Sequence, residues 1–363
     1  AKLIVTPEMG TTGYCWLDRK EVEPYVETIP GFTTDKFLEI AKKYNCYLVV
    51  GMPEVDKETN LYYNSAVLIG PNGIVGKHRK SHSYIAEPKW SAPGQEHLVF
   101  ETEIGKIGIL ICMDIHFIET ARLVALQEAD IIVHISNWLG ERTPGSYWIS
   151  RAFENSCYLI EGNRWGLERT VQFSGGSCVI NPDGSIAAVI DKGDGLAFAD
   201  IDLNWPRKRK VLDEKIFNDR RPEMYMNLPT DTYLWNPLEF FGLYGLNPLP
   251  KGKKSKISIT QMTPTNVIKD NLSKMLHYLN LAKEAQSELV AFPELCLTGH
   301  LNGKIGAIKK ESKEFNILSN YANQNGIYIY FGFAQEEDGQ FFNSSALLGP
   351  EGVLGIYKKI HLN

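Results

Sequence analysis

Short apolar runs alternating with amphipathic stretches predict an α/β fold with two sheets layered inside and helices outside. Strand-like runs recur near residues 3–7, 46–52, 63–70, 98–102, 107–112, 130–135, 158–163, 177–181 and 186–190. Helical spacing appears near 34–44, 117–127 and 145–156. With 363 residues and 44% hydrophobic content, the chain is long enough for two cores, or one and a half.

Each element follows from its residues. Leu3-Ile-Val-Thr-Pro-Glu8 is an apolar strand ending in a carboxylate, followed by the loop Gly10–Tyr14. Thr34 or Asp35 is the expected N-cap of the first helix. The strand Ser65–Ile69 precedes a basic cluster, Gly76-Lys-His-Arg-Lys-Ser-His82. Ile107, Ile109, Leu110 and Ile111 read as a buried strand. Phe117, Ala121, Val124 and Ala125 then recur at i, i+4, i+7 and i+8, the stripe of a core-facing helix.

Cys112 stands where that strand ends and that helix is about to begin. Backbone N–H groups at such an elbow favour a thiolate, and later an oxyanion. A thiol nucleophile also needs a base, and Glu8 can serve if burial raises its pKa. Lys80 supplies a positive donor for the oxyanion. Together these three residue types make a complete set for acyl transfer. Singly, each has a plainer reading: Cys112 as a core thiol, Glu8 as a helix cap, Lys80 as a solvated charge.

These segments resemble the nitrilase superfamily of carbon–nitrogen hydrolases. The family's Glu-Lys-Cys triad carries over to Glu8, to Lys80 as the last lysine of the Lys-His-Arg-Lys run, and to Cys112. A second family glutamate matches Glu87 in Glu87-Pro-Lys-Trp-Ser-Ala-Pro-Gly94 and implies a substrate-positioning role. Met113, Asn137 and Trp138 are implied to line the substrate site. Arg151–Asn155, Gly162-Asn-Arg164, Phe173-Ser-Gly-Gly-Ser177 and Asn218–Tyr225 follow in family order, so the resemblance covers nearly all of residues 1–245. The implied fold is an α-β-β-α four-layer sandwich. Two departures stand out: Phe117-Ile118-Glu119 where the family reads Phe-Pro-Glu, and His116 where an arginine is common.

An internal repeat extends the reading. Leu289–Gly299 echoes Leu3–Gly13, with Glu294 in the place of Glu8. Asn343–His361 echoes Asn64–His82, with Lys359 in the place of Lys80. The second copy opens with a strand pattern at Lys256–Met262 and a helical stretch to about Ala285; the first has no counterpart of either. We therefore expect a piece of a tandem two-unit protein: residues 1–245 a hydrolase unit lacking its first strand and helix, 246–256 a linker, and 257–363 the N-terminal half of a second, degenerate unit.

A net charge of −5 argues against a dedicated nucleic-acid or membrane surface. Arg207-Lys-Arg-Lys210 and Lys251–Lys256 are short and read as solvated charge. No apolar run approaches a membrane span. The six cysteines, at 15, 46, 112, 157, 178 and 296, form no close pairs and no zinc spacing, which points to a reducing, cytoplasmic compartment and to no metal or other cofactor. No G-x-S-x-G elbow occurs. The expected activity is hydrolysis of a small carboxamide or N-carbamoyl compound, because Met113-Asp114 resembles amidase and carbamoylase branches. Alternatives are nitrile hydrolysis, glutaminase-type ammonia supply and, in another class, a non-catalytic tandem scaffold. The expected partner is a small-molecule amide or nitrile, with an intrachain pseudo-dimer or homo-oligomer as the assembly.

Overall fold

The structure, a computed structural model, describes residues 1–139, 143–211, 213–226, 228, 252–299 and 306–361. It divides into two compact units, residues 1–224 and 225–363. Of the expected linker, residues 246–251 lie outside the described residues, and 252–256 form neither helix nor strand.

The first unit opens with β1 (Leu3–Val5), α1 (Arg19–Val22), α2 (Phe32–Tyr44), β2 (Tyr47–Val55), β3 (Tyr62–Gly70) and β4 (Gly73–Arg79). These four strands form one sheet in sequence order, with β1 parallel to β2 and the other pairs antiparallel. There follow β5 (Val99–Thr102), β6 (Gly105–Ile111), α3 (Ile118–Leu126), β7 (Ile131–Ser136), α4 (Ser146–Asn155) and β8 (Tyr158–Asn163). A hairpin of β9 (Trp165–Glu168) and β10 (Val171–Ser174) leads to β11 (Ser177–Ile180), β12 (Ile186–Ile190) and α5 (Asn204–Arg207). The second sheet runs β12-β11-β8-β7-β6-β5, with β6, β7 and β8 parallel.

Period-two alternation makes the layers. Leu48, Val50 and Met52 of β2 and Val67 and Ile69 of β3 pack on Ala41 and Phe37 of α2. Tyr47, Val49, Ala66 and Leu68 point the other way and share a core with the second sheet. On that sheet's far side Val124 of α3 meets Gly108, where a Cβ would come within 2.8 Å of it. Trp148 and Ala152 of α4 join the same core. The result is the four-layer α-β-β-α sandwich.

Two expectations are corrected here. The first helix begins at Phe32 with Gly31 at the N-cap, and neither Thr34 nor Asp35 holds that position. Thr34 instead reaches back from the first turn, its hydroxyl accepting from the Gly31 N–H at 2.8 Å. The Glu27 carboxylate meanwhile takes the Thr33 N–H at 2.8 Å, so an outside acid satisfies a helix end that the sequence had to cap locally. The strand β4 (Gly73–Arg79) was also not among the expected strands, its residues standing out only as a basic cluster.

The second unit holds β13 (Ile257–Ile259), α6 (Ile268–Glu284), β14 (Leu289–Ala291), α7 (Lys313–Asn325), β15 (Tyr328–Glu337), β16 (Gln340–Gly349) and β17 (Gly352–Lys358). They form one five-stranded sheet in sequence order. Met275 and Leu279 of α6 and Phe315 and Leu318 of α7 pack on Phe331 and Phe333 of β15. The parallel pair β14–β15 and the antiparallel β15–β16–β17 repeat the pattern of β1–β2–β3–β4. Among the described residues no helix is long and apolar enough to cross a membrane. All six cysteines are free.

Candidate active site

The basic run Lys77-His-Arg-Lys80 is a strand end, and alternation sorts it. Lys77 and Arg79 pair with the buried Glu54 of β2, Arg79 through two hydrogen bonds of 2.6 and 3.0 Å. His78 points the opposite way, its Nε2 2.9 Å from Asp114. The Lys80 N–H donates to the Asn64 carbonyl at 2.8 Å, continuing the ladder one residue and sending Lys80 inward with His78. Strand geometry thus selects this lysine from its neighbours.

Glu8 sits just past β1, in the tight loop whose next residue, Met9, has φ of +51°. Gly51 of β2 allows that loop its approach, since a Cβ there would lie 2.6 Å from the Pro7 carbonyl and 2.9 Å from Glu8 Cα. Lys80 Nζ donates to Glu8 Oε1 at 2.8 Å and to Glu87 Oε1 at 2.7 Å. Asn64 Nδ2 donates to the same two oxygens at 2.7 and 2.9 Å. Glu87 is steadied by the Tyr84 N–H, 2.7 Å from its Oε2. The other Glu8 oxygen, Oε2, is buried without a hydrogen-bond partner. Glu8 is 0% exposed and Lys80 3%, so bulk water does not screen these charges.

Cys112 directly follows β6 with φ of +46°, a left-handed conformation strained for most residues but glycine. The backbone N–H of Asn137 hydrogen-bonds to its sulfur, and Glu8, Lys80 and Glu87 all act on its charge. Acid, amine and thiol therefore share one small buried site. The Asn137 side chain donates to the Glu8 carbonyl at 2.8 Å, and the Trp138 ring lies 5.3 Å from that of His116. Met113 follows Cys112 in a turn of 3₁₀ helix, residues 112–116.

The electrostatics differ from the expected thiolate. Burial, then Glu8 and Glu87, push the Cys112 thiol well above its ordinary value, and Lys80 and the Asn137 N–H do not reverse this. Two carboxylates against one ammonium leave the site too negative for a resting thiolate. Burial also raises Glu8 above the ordinary carboxylate value; the Lys80 charge opposes the rise and Glu87 adds to it. Burial by itself would favour neutral Lys80, but the charges of Cys112, Glu8 and Glu87 hold it well above the lysine range. The geometry therefore suits a base that takes the thiol proton during attack, beside a permanent cation.

Sequence reasoning missed three contributors. Asn64 joins the two glutamates, and its echo in Asn343 was the signal available. Asp114 accepts from the N–H and hydroxyl of Ser81 and from the N–H of His82, at 3.1, 2.7 and 2.9 Å. Tyr14 lies with its ring centroid 5.7 Å from Lys80 Nζ. In the second unit, Lys359 Nζ and Asn343 Nδ2 meet Glu294 Oε1 at 2.8 and 2.6 Å. There Gly332 gives Glu294 the close backbone approach that Gly51 gives Glu8. Among the described residues no cluster of three or more His, Cys, Asp or Glu side chains is arranged to hold a metal ion.

The family model for carbon–nitrogen hydrolases matches residues 1–208 and 256–363. A protein named nitrilase from Pyrococcus abyssi (strain GE5 / Orsay) is 37% identical over 229 residues, covering 62% of this chain and 86% of its own. Omega-amidase NIT2 from Homo sapiens is 28% identical over 242 residues, 62% of this chain and 85% of its own. The crystal structure of a carbon–nitrogen hydrolase from Helicobacter pylori G27 aligns with a TM-score of 0.58 at 25% identity, covering 64% of this chain and 87% of that one. The layered fold agrees with that neighbour, and the chain is an enzyme that hydrolyses carbon–nitrogen bonds. It belongs to the carbon–nitrogen hydrolase family, within the nitrilase superfamily.

Proposed function

We propose that this enzyme hydrolyses a small carboxamide or N-carbamoyl compound through a thioester on Cys112. The observation that carries the reading is the Lys80 ammonium, shared by Glu8 and Glu87 in the buried site that also holds the Cys112 thiol. Glu8 takes the thiol proton through Oε2 as sulfur attacks the carbonyl carbon. Lys80 and the Met113 N–H hold the resulting oxyanion. Collapse breaks the C–N bond, Glu8 returns the proton to the departing ammonia or amine, and a thioester remains. Glu8 then takes a proton from water, the hydroxide adds to the thioester carbon, and as the C–S bond breaks Glu8 returns that proton to the Cys112 sulfur and the acid leaves. Glu87, Asn137 and Trp138 position the substrate.

An amide is favoured over a nitrile by the resemblance of Met113-Asp114 to amidase branches. Burial, with the nearby charges of His134, Arg151 and Lys80, lowers the His116 pKa below its ordinary value. A neutral imidazole at that wall suits an uncharged amide. The human relative, named omega-amidase, supports the amide, while the archaeal one, named nitrilase, supports only the broader class. The paired Glu294 and Lys359 support reading residues 257–363 as half of a second, degenerate unit after a linker at 246–256. Free thiols fit a reducing, cytoplasmic setting.

The test is ammonia release from a panel of carboxamides, carbamoyl amino acids and nitriles, with Cys112→Ala beside the wild type. Turnover of an amide that vanishes in C112A supports the proposal; near-native turnover in C112A overturns it.

A further inference from the structure

Behind the nucleophile lies a buried pair that the mechanism above does not use. His134 of β7 and Glu161 of β8 are register partners on adjacent parallel strands, 0% and 3% exposed. Their side chains meet through His134 Nδ1 and Glu161 Oε2. His134 Nε2 lies 3.0 Å from the Cys112 carbonyl oxygen. Both of these imidazole contacts are to oxygens, an arrangement that an imidazolium donating from both ring nitrogens satisfies. Burial opposes that charge, but Glu161 outweighs it and raises the His134 pKa, with the Cys112 carbonyl and Asp114 adding to the rise.

A buried ion pair costs desolvation, and an apolar pair of similar volume would serve a β-sheet core as well. This pair is aimed at one atom, the carbonyl of the residue whose backbone is left-handed. The network continues outward. The Ser136 hydroxyl reaches both Glu161 and the Asn163 side-chain oxygen, and Asn163 accepts from the Trp138 N–H at 2.9 Å. The Trp148 ring centroid, 5.9 Å from that of His134, closes one side.

We propose that His134 and Glu161 are positioning residues for the nucleophile. Together they grip the Cys112 carbonyl from behind and keep its backbone in the left-handed turn. The thiol and the following N–H then face the same substrate atom. The inference rests on the reading of Cys112 as nucleophile.

The experiment measures the second-order rate of Cys112 alkylation by iodoacetamide, mapped by peptide mass spectrometry, in the full chain. Wild type, C112A, H134L, E161Q and the pair H134Q/E161Q are compared. E161Q leaves a neutral imidazole whose one proton is divided between Nδ1, facing the glutamine oxygen, and Nε2, so its grip on the carbonyl weakens. The glutamine at 134 in the pair restores an N–H donor without the charges. H134L and E161Q are expected to slow alkylation about 10- to 100-fold, the range for small misplacements of a reacting group, while the pair recovers most of it. For an amide that the enzyme turns over, kcat falls with KM little changed.

Either single variant, folded by circular dichroism and alkylated within about twofold of wild type or faster, overturns the proposal, as does a folded pair as slow as E161Q. If H134L does not fold, E161Q and the pair decide. Near-native amide turnover by C112A removes the nucleophile reading instead, and this inference with it.

Discussion

The Asp114 carboxylate takes both the N–H and the hydroxyl of Ser81, at 3.1 and 2.7 Å. It thereby ties the second residue after the thiol to the first residue after the lysine. The same carboxylate accepts from His78 Nε2 at 2.9 Å and from the Ile111 N–H at 3.0 Å. The lysine strand and the cysteine elbow, on different sheets, are joined through this one buried acid.

Replacing that acid tests the join. Burial would raise Asp114, but hydrogen bonds from His78, His82 and Ser81 overcome it and hold the carboxyl well below the usual range. Its stabilisation is therefore complete above the ordinary aspartate pKa and is lost as pH falls through the depressed folded value. Asp114→Asn should cost about 2–4 kcal/mol at neutral pH, read as a shift in the urea midpoint. The gap to wild type should narrow in strong acid. An unchanged midpoint at pH 7 would contradict the account.

Lys80 is the sole cation bonded directly to Glu8 and Glu87 among the described residues. Lys80→Ala should lower kcat by about 100- to 1,000-fold, the usual cost of losing one oxyanion donor. Steady-state ammonia release on the amide found by the substrate panel measures it. A loss under about tenfold would place the oxyanion elsewhere.

Burial raises the pKa of Glu8, and Lys80 only partly offsets this. A base works only when deprotonated, so activity should fall as pH drops through that raised value. The acid limb of kcat/KM should thus lie above the ordinary glutamate pKa of about 4.3. Asn64 donates to the same carboxylate at 2.7 Å and lowers that pKa, so Asn64→Ala should move the limb upward. A limb unmoved by N64A would mean that Glu8 does not set it.

Gly51→Ala probes the backbone beneath Glu8. The added carbon would sit 2.7 Å from the Met9 nitrogen and 2.9 Å from Glu8 Cα, with no flexible side chain to yield. We expect a loss of about 1–3 kcal/mol from overpacking and a fall in kcat as Glu8 is pushed from Lys80. Thermal melting and ammonia release report the two separately, and a stable, fully active G51A would refute the tight approach.

Much of the architecture was legible in the residues. Ile107, Ile109 and Ile111 formed the buried strand that their spacing announced, and Ala121, Val124 and Ala125 of the α3 stripe faced the core as read, whereas Phe117, read with them, stands at the N-cap and is 39% exposed. The strand β4 was not legible, because Lys77 and Arg79 owe their place to Glu54, a residue over twenty positions away. The helix start at Phe32 was misplaced for the same kind of reason, since Glu27 satisfies it from outside. At the candidate site, Glu8, Lys80 and Cys112 were singled out from residue type and order, whereas Asn64 and Asp114 looked like ordinary polar residues.

By itself the sequence determined the layering and, through the order of its motifs, the family, and it singled out three candidate groups, because periodicity and residue chemistry are local properties. Only the tertiary structure decided their charge states. Whether a thiol keeps its proton depends on how many carboxylates burial gathers around it. Here burial comes first, and Glu8 and Glu87, converging with Lys80 from three separate segments, add to it, so the Cys112 thiol lies well above its ordinary value.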